Sequence, residues 1–408
     1  MIPAGPRTAL ERFLARYRPA PVHEAAPHSL RRAGALAAIE AAACRPVSAA
    51  SRGLLRLAGR SGRLDPRSVR SIAFVKVDHL GDVIMASPVI RALARWAPGA
   101  RVTVYARPAT ADFFRRLPAV GEVGLVEAPW VRPDSGSAGN LRAALALAWR
   151  MRARRYGLAV DLRYHNRLDS LILSLCGARA RLGFDAGGFG FGLTHRARWP
   201  HGLMHEADRM ADALRQFGIP VRELRPEFPV EPGEIRAAAE MTGRRAYVAV
   251  HVGAGNPVKR WMPERFAWVA RELATRTRLR VAVLSGPGEE ALGEPVVRAL
   301  PRAARLDLRG RLGLFELGAV IKGARLFLGN DGGAGHVAAA VGTPSAIVFS
   351  GTNEAAEWAP RGGHVRIVEG RVPCKPCART TCPFNQACLR AVTVDEVLRV
   401  TLESLGRG

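Results

Sequence analysis

At 408 residues the chain exceeds one ordinary domain and suggests two, each able to bury its own core. With 48% apolar and 24% charged residues it reads as a folded protein, and no apolar run reaches the roughly 18–20 residues that span a bilayer. A formal charge of +26 is extreme and points to an anionic partner: a phosphorylated substrate, an anionic membrane surface or nucleic acid.

Helix-turn-helix, RNA-recognition and zinc-finger patterns are all missing, so nucleic acid is the weakest of the three and no specific nucleic acid is expected. The cations are nearly all Arg, the lysines being Lys76, Lys259, Lys322 and Lys375. An Ala-rich composition accounts for Arg over Lys but not for the shortage of carboxylates. The N-terminus lacks an apolar h-region and a small-residue cleavage site, so a cytoplasmic setting is expected.

Residues 1–70 form a basic extension with thirteen Arg against four acids and no strand-like run. Two helices are predicted there, over 29–44 and 48–60, separated by Pro46. In the second, Arg52, Arg56 and Arg60 stand at i, i+4 and i+8, a stripe suited to an anionic membrane surface; a solvated arm is the equal alternative.

From Ser71 the rhythm changes to short β-branched runs alternating with helical patterns. Strands are predicted at Ile72–Val77, 101–105, 122–126, 156–160 and 180–184, with helices at 88–96, 141–154 and 168–176. The proline-bearing stretch 219–233 reads as a linker. The rhythm then restarts, with strands at 246–251, 279–284, 325–329 and 344–349 and helices at 263–275, 314–322 and 334–341. Two such series predict two doubly wound parallel sheets, an N-terminal domain over 71–225 and a C-terminal one over 233–408. Ligands in such sheets bind at the carboxyl ends of strands.

Three turns after strands carry candidate chemistry. In Val77-Asp78-His79-Leu80-Gly81-Asp82, Gly81 allows a tight turn and Asp82 falls near a helix start, where the dipole favours an ionised carboxylate. Asp82 could accept a proton from a substrate hydroxyl, or it could simply cap the helix; Ser87-Pro88 offers a competing start. The second turn, His251-Val-Gly253-Ala254-Gly255-Asn-Pro-Val-Lys259, exposes backbone N–H groups able to cradle phosphate, with Lys259 as a point charge. Its spacing is not that of a Walker loop. The third, Asn330-Asp331-Gly332-Gly333-Ala-Gly-His336, again joins an apolar strand to an Ala-rich helix. Two anion sites in one domain suit a diphosphate, and neither has the spaced glycines of a dinucleotide fingerprint.

These residues together resemble glycosyltransferase family 9, the lipopolysaccharide heptosyltransferases. The resemblance runs through Ile72–Leu93, Val160-Asp-Leu-Arg-Tyr-His-Asn-Arg167, Arg181-Leu-Gly-Phe-Asp185, His251–Gly255 with Lys259-Arg-Trp, and Asn330–Gly333 with His336, in the family's order. It implies an α/β protein of the GT-B fold: two Rossmann-like doubly wound domains facing a cleft, here with the basic extension in front. It further implies inverting transfer of heptose from ADP-heptose to a glycolipid acceptor at the inner membrane, with no metal required for catalysis.

Position by position, Asp82 matches the catalytic base and Lys259 the residue that neutralises the departing diphosphate. Gly253, Ala254, Gly255, Gly332 and Gly333 fall where backbone groups meet phosphate, and Asp331 where a sugar hydroxyl is held. Glu290 aligns with a ribose-binding acid, with Glu289 as its alternative, and His336 orients the third loop. His79, Gly81, Asn166 and Arg167 lie on the acceptor side. Two departures from the family pattern stand out. Gly332 replaces a common Ser or Thr, and Asp78-His79 replaces small polar residues, which leaves donor sugar and acceptor open.

Cys374, Cys377, Cys382 and Cys388 lie within fifteen residues. A reducing compartment argues against disulfides; the four are free thiols, an oxidised cluster or ligands of a structural metal, although the spacing is not that of a zinc ribbon. A non-catalytic nucleotide or glycolipid binder that keeps the fold is the main rival to the enzyme.

Overall fold

The computed structural model describes residues 63–129, 137–163, 167–185, 189–200, 202–243 and 245–406. The helices expected at 29–44 and 48–60, with their arginine stripe, lie outside these residues.

The first half runs β1 (Ser71–Val75), α1 (Leu80–Trp96), β2 (Arg101–Ala106), α2 (Pro108–Arg115), β3 (Glu122–Leu125), α3 (Ser137–Ala153), β4 (Leu158–Asp161), α4 (Arg167–Leu175), β5 (Ala180–Phe184), β6 (His195–Ala197) and α5 (Glu206–Arg215). Its six strands are all parallel in the order β3-β2-β1-β4-β5-β6. The second half runs α6 (Pro232–Thr242), β7 (Tyr247–His251), α7 (Pro263–Thr277), β8 (Arg280–Leu284), α8 (Glu294–Ala299), β9 (Arg305–Asp307), α9 (Leu314–Gly323), β10 (Leu326–Asn330), α10 (Gly333–Val341), β11 (Ser345–Phe349), α11 (Ala355–Trp358), β12 (Val365–Glu369), α12 (Ala387–Ala391) and α13 (Val394–Leu405). Its parallel sheet repeats the same winding, β12-β11-β10-β7-β8-β9. Each sheet reverses direction beside its first strand, between β1 and β4 and between β7 and β10, and such reversals open a crevice at the strand ends.

Both faces of each sheet are covered, so the strands are nearly uniformly apolar. In β1, Ile72 and Phe74 face one cluster while Ala73 and Val75 face another. The first cluster continues across both halves, from Ile72 and Phe113 through Phe228 to Val320, Phe327 and Ile347. Phe228, on the segment between the halves, stacks on Phe113 at 5.9 Å and tilts against Phe315 at 5.6 Å. The guanidinium of Arg116 lies 3.5 Å from the Phe315 ring centre. Helix α5 adds polar ties: Arg209 to Glu357 at 2.8 Å and Arg361 to both oxygens of Asp208 at 2.6 and 3.1 Å.

The competing helix start at Ser87-Pro88 is not used. Helix α1 begins at Leu80, eight residues ahead of the expected start, and runs through Pro88. A proline there removes the amide that would bond the Ile84 carbonyl. The Ser87 hydroxyl takes its place, donating to Ile84 O at 2.7 Å while accepting from the amide of Glu227 at 2.9 Å. One side chain thus repairs the helix and fastens the connecting segment to it. That segment ends at Glu231 rather than Gly233, because Pro232 opens α6 under a Glu231/Glu234 capping box. Among the described residues no helix is long and apolar enough to cross a membrane.

Ser87→Ala leaves the buried Ile84 carbonyl and the part-buried Glu227 amide without their partner. Chemical unfolding of the intact chain is expected to show a loss of about 1–3 kcal/mol, whereas Ser87→Thr, which keeps the hydroxyl, retains most of it.

Candidate active site

The crevice of the first sheet is built of charge. Beyond β1 the chain passes Lys76, buried to 3% exposure, and Asp78, whose carboxylate meets Lys76 Nζ at 3.0 Å and Arg163 Nε at 2.7 Å. Arg163 comes from beyond β4; it also meets Asp169 at 3.1 Å, and its amide donates to Asp161 Oδ1 at 2.9 Å. Burial opposes the charge of Asp78, but Lys76 and Arg163 outweigh it and hold the carboxyl below its usual range. Burial likewise opposes the charge of Lys76, and Asp78, Asp82 and Glu206 overcome it to raise the pKa. Asp161 is different: burial pushes it up to about 6 against the pull of Arg163. Asp169 rises well above the ordinary range through burial and its neighbour Asp161.

Asp82 is the third residue of α1. It is not the N-cap, a position held by His79 with extended backbone and no side-chain cap bond. Its carboxylate lies close enough to the His79 amide for that N–H to favour the ionised form. Burial first, and the nearby Asp78 second, raise its pKa; Lys76, His79 and that amide pull the other way. Asp82 therefore combines a helix-start contact with a proton affinity above that of an ordinary carboxylate. Arg107 closes this side, donating to Asp78 O at 3.1 Å. Arg167 is the first residue of α4, and Asn166 lies outside the described residues.

The second sheet supplies the opposing wall. Asn330, buried at the end of β10, accepts from the Trp261 amide at 2.9 Å and donates to Val252 O at 2.8 Å, fixing the glycine turn to the strand end. Lys259 Nζ lies 2.8 Å from Asp331 Oδ2, and Asn353, in the amide orientation that satisfies its neighbours, accepts from the same ammonium at 2.9 Å. Burial raises Asp331, with Lys259 opposing. Gly255 stands in open space, whereas a Cβ on Gly253 would collide with the Glu289 carboxylate.

Between the two candidate acids the geometry distinguishes. Glu289 faces the glycine turn and pairs with Arg260 at 2.8 Å, while Arg260 Nε also donates to Ala254 O at 2.8 Å. Glu290 points away: it accepts from the Gly288 amide at 3.0 Å and lies under Gly310. The alternative acid, Glu289, rather than Glu290, is the one at the glycine turn.

The two walls meet at helix N-termini. A Cβ on Gly81 would sit 2.7 Å from the ring of His336 on α10, and one on Gly333 would sit 3.0 Å from Leu80. Only residues without side chains let the starts of α1 and α10 approach so closely. Burial, with His205 and Lys259 nearby, pushes His336 down to about 3, so its ring is neutral packing. Gly332 caps α10 with extended backbone (φ −169°) and has room beside Ala254, so the missing hydroxyl reflects no steric exclusion.

Residues 144–388, more than half the chain, match the family model described as "Glycosyltransferase family 9 (heptosyltransferase)". The chain belongs to glycosyltransferase family 9. Lipopolysaccharide heptosyltransferase 3 of Escherichia coli K12 is 25% identical over 293 residues, covering 69% of this chain and 82% of that protein. Lipooligosaccharide heptosyltransferase 2 of Haemophilus influenzae is 28% identical over 169 residues, covering 38% and 47%. Among solved structures, a family 9 glycosyltransferase from Veillonella parvula superposes with a TM-score of 0.73 at 20% identity, over 85% of this chain and all of that one. The E. coli ADP-heptose heptosyltransferase II gives 0.66 at 20% identity, over 83% of this chain and 99% of that one. The two facing sheets are the GT-B fold of these family 9 structures.

Sequence reasoning overlooked Lys76, Arg163, Arg260 and Asn353. Lys76 had a signal, being a charge inside the apolar run Ile72–Val77; Asn353 had none. Cys374, Cys377, Cys382 and Cys388 form no disulfide, and among the described residues no group of three or more His, Cys, Asp or Glu is arranged to hold an ion, so nothing in the fold supports a metal at this cluster. Burial and the neighbouring thiols raise the pKa of Cys374 and Cys388.

In the unfolded chain Asp161 releases the proton it holds in the fold, so its contribution to stability falls as pH rises between about 4 and 6. Asp161→Asn is expected to flatten that limb in thermal melts recorded across the window.

Proposed function

We propose that this family 9 enzyme moves a heptose from ADP-heptose to a sugar hydroxyl of an anionic, lipopolysaccharide-core-like glycolipid at the cytoplasmic face of a membrane, inverting the anomeric carbon. The carrying observation is the meeting of the α1 and α10 N-termini, which brings Asp82 to the wall holding Lys259, Asp331 and the glycine turns. The names of the relatives support the sugar, and E. coli heptosyltransferase WaaC, similar in fold, has been solved with ADP and with ADP-2-deoxy-2-fluoro heptose.

In this reading Asp82 takes the proton of the acceptor hydroxyl as the new C–O bond forms at the anomeric carbon. The bond from that carbon to the phosphate oxygen breaks, and ADP leaves with the electron pair. Lys259 and the free N–H groups at the start of α10 stabilise the charge that develops on the diphosphate, and no divalent ion is needed for this step. Asp331 holds Lys259 and reaches a heptose hydroxyl, while Glu289 takes the ribose. The extreme positive charge draws the phosphorylated acceptor toward the cleft.

Asp82→Ala is expected to lower kcat by about 10²–10⁴ while calorimetry gives donor affinity close to that of the parent. Undiminished turnover would sink the base assignment, and donor binding without turnover in the parent would favour the non-catalytic alternative. Because the base must be ionised and burial raises Asp82, kcat/KM should climb with pH through a pKa above the usual carboxylate range. Glu289→Gln should weaken donor binding about tenfold or more, with Glu290→Gln nearly silent.

A further inference from the structure

Helix α3 is basic and carries no carboxylate along its 17 residues. Its outer face holds Leu141, Leu145 and Trp149 at i, i+4 and i+8, with Leu141 at 44% and Trp149 at 67% exposure. Arg142 and Arg152 border the stripe, and the Arg152 guanidinium sits 5.9 Å from the Trp149 ring centre. Leu125 and Leu175, both exposed, flank the helix, with Arg150 bonding the Leu125 carbonyl at 2.8 Å. Among the described residues, the acids on the strand beside the helix and just after it are Glu122, already paired with Arg101 and Arg154, and exposed Glu127. An exposed indole beside leucines and ringed by arginines has the composition of a surface that enters the lipid headgroup boundary.

The placement fits such a role. As a crossover helix, α3 starts at the carboxyl edge of the first sheet, the edge from which Asp82 and Asp78 project. Its stripe therefore runs from the rim of the cleft outward. We infer that this face of α3 docks the enzyme on an anionic lipid surface, with Trp149 and Leu141 in the headgroup layer and Arg142 and Arg152 on lipid phosphates. The docking turns the acceptor side of the cleft toward the bilayer. This inference rests on the reading that the acceptor is a glycolipid.

The test uses the full chain and vesicles of phosphatidylcholine with and without phosphatidylglycerol. Sedimentation should show binding to the anionic vesicles only, weakened about tenfold by Trp149→Ser and about fivefold by each of Arg142→Gln and Arg152→Gln. Brominated acyl chains should quench a component of the tryptophan emission that Trp149→Phe removes. Equal binding by the variants, or no quenching of Trp149, overturns the docking face. So does a dimer in the parent that Trp149→Ser dissolves, since a second copy would then cover the stripe. Donor binding by calorimetry, measured without vesicles, should be the same in all variants. A chain that docks through α3 yet binds no ADP-heptose would refute the proposed reaction and leave the docking face standing.

Discussion

Two helices begin within touching distance of each other across the cleft, and the site is built around that approach. Each brings the positive end of its dipole, and each brings a carboxylate beside it, Asp82 on one wall and Asp331 on the other. The approach is possible because position 81 has no Cβ to strike the His336 ring and position 333 none to strike Leu80. A side chain at 81 would force the walls apart by displacing a ring that is itself fully packed. Phe228, seated between Phe113 and Phe315, and the Ser87 hydroxyl, which fastens the connecting segment to α1, hold the halves in this register.

Within a strongly cationic chain the first crevice is an island of buried and partly buried carboxylates. Asp78, Asp82, Asp161, Asp169 and Glu206 face Lys76, Arg163 and Arg209. The charges do not balance if every acid is ionised, and burial settles the excess by protonation: Asp169 and Asp161 keep protons more readily than exposed carboxylates do, while Asp78, gripped by two cations, does not. For Asp82, burial first and Asp78 second raise the proton affinity, while Lys76 pulls it down. Lys76 is thus the residue by which the floor of the sheet tunes the proposed base, although it never reaches the cleft mouth.

The periodicity of the sequence was enough to indicate two parallel sheets, since strands buried on both faces read as short apolar runs and the glycine turns fall at their ends. What stayed hidden were elements whose residues are chosen by neighbours rather than by period. β6 and β9 are only three residues long, and these two and β12 are interrupted by His195, Arg196, Arg305, Asp307, Arg366 and Glu369. The start of α1 was obscured because Ser87-Pro88 imitates a helix start; only the fold reveals that Ser87 replaces the bond that Pro88 removes. The turns of the candidate site were legible as local motifs. The choice between Glu289 and Glu290 was not, because adjacent residues in a turn face opposite ways and only the positions of Arg260 and Gly310 separate them.

Lys259 is held before any donor arrives. Its ammonium is pinned between Asp331 and Asn353, on a turn that Asn256 caps and that Asn330 ties to the strand end through Trp261 and Val252. A flexible lysine would lose side-chain entropy on meeting a diphosphate; this one has lost it in folding. The fixed cation would then act at the moment charge develops on the leaving group, when reorientation would be too late to lower the barrier. Asp331, raised by burial and sharing this ammonium, is left with weakened claim on its own counter-ion once a diphosphate competes for it. In the proposed reaction that competition would free the carboxylate to accept from a sugar hydroxyl, so one ion pair would both hold the cation and supply the acceptor group.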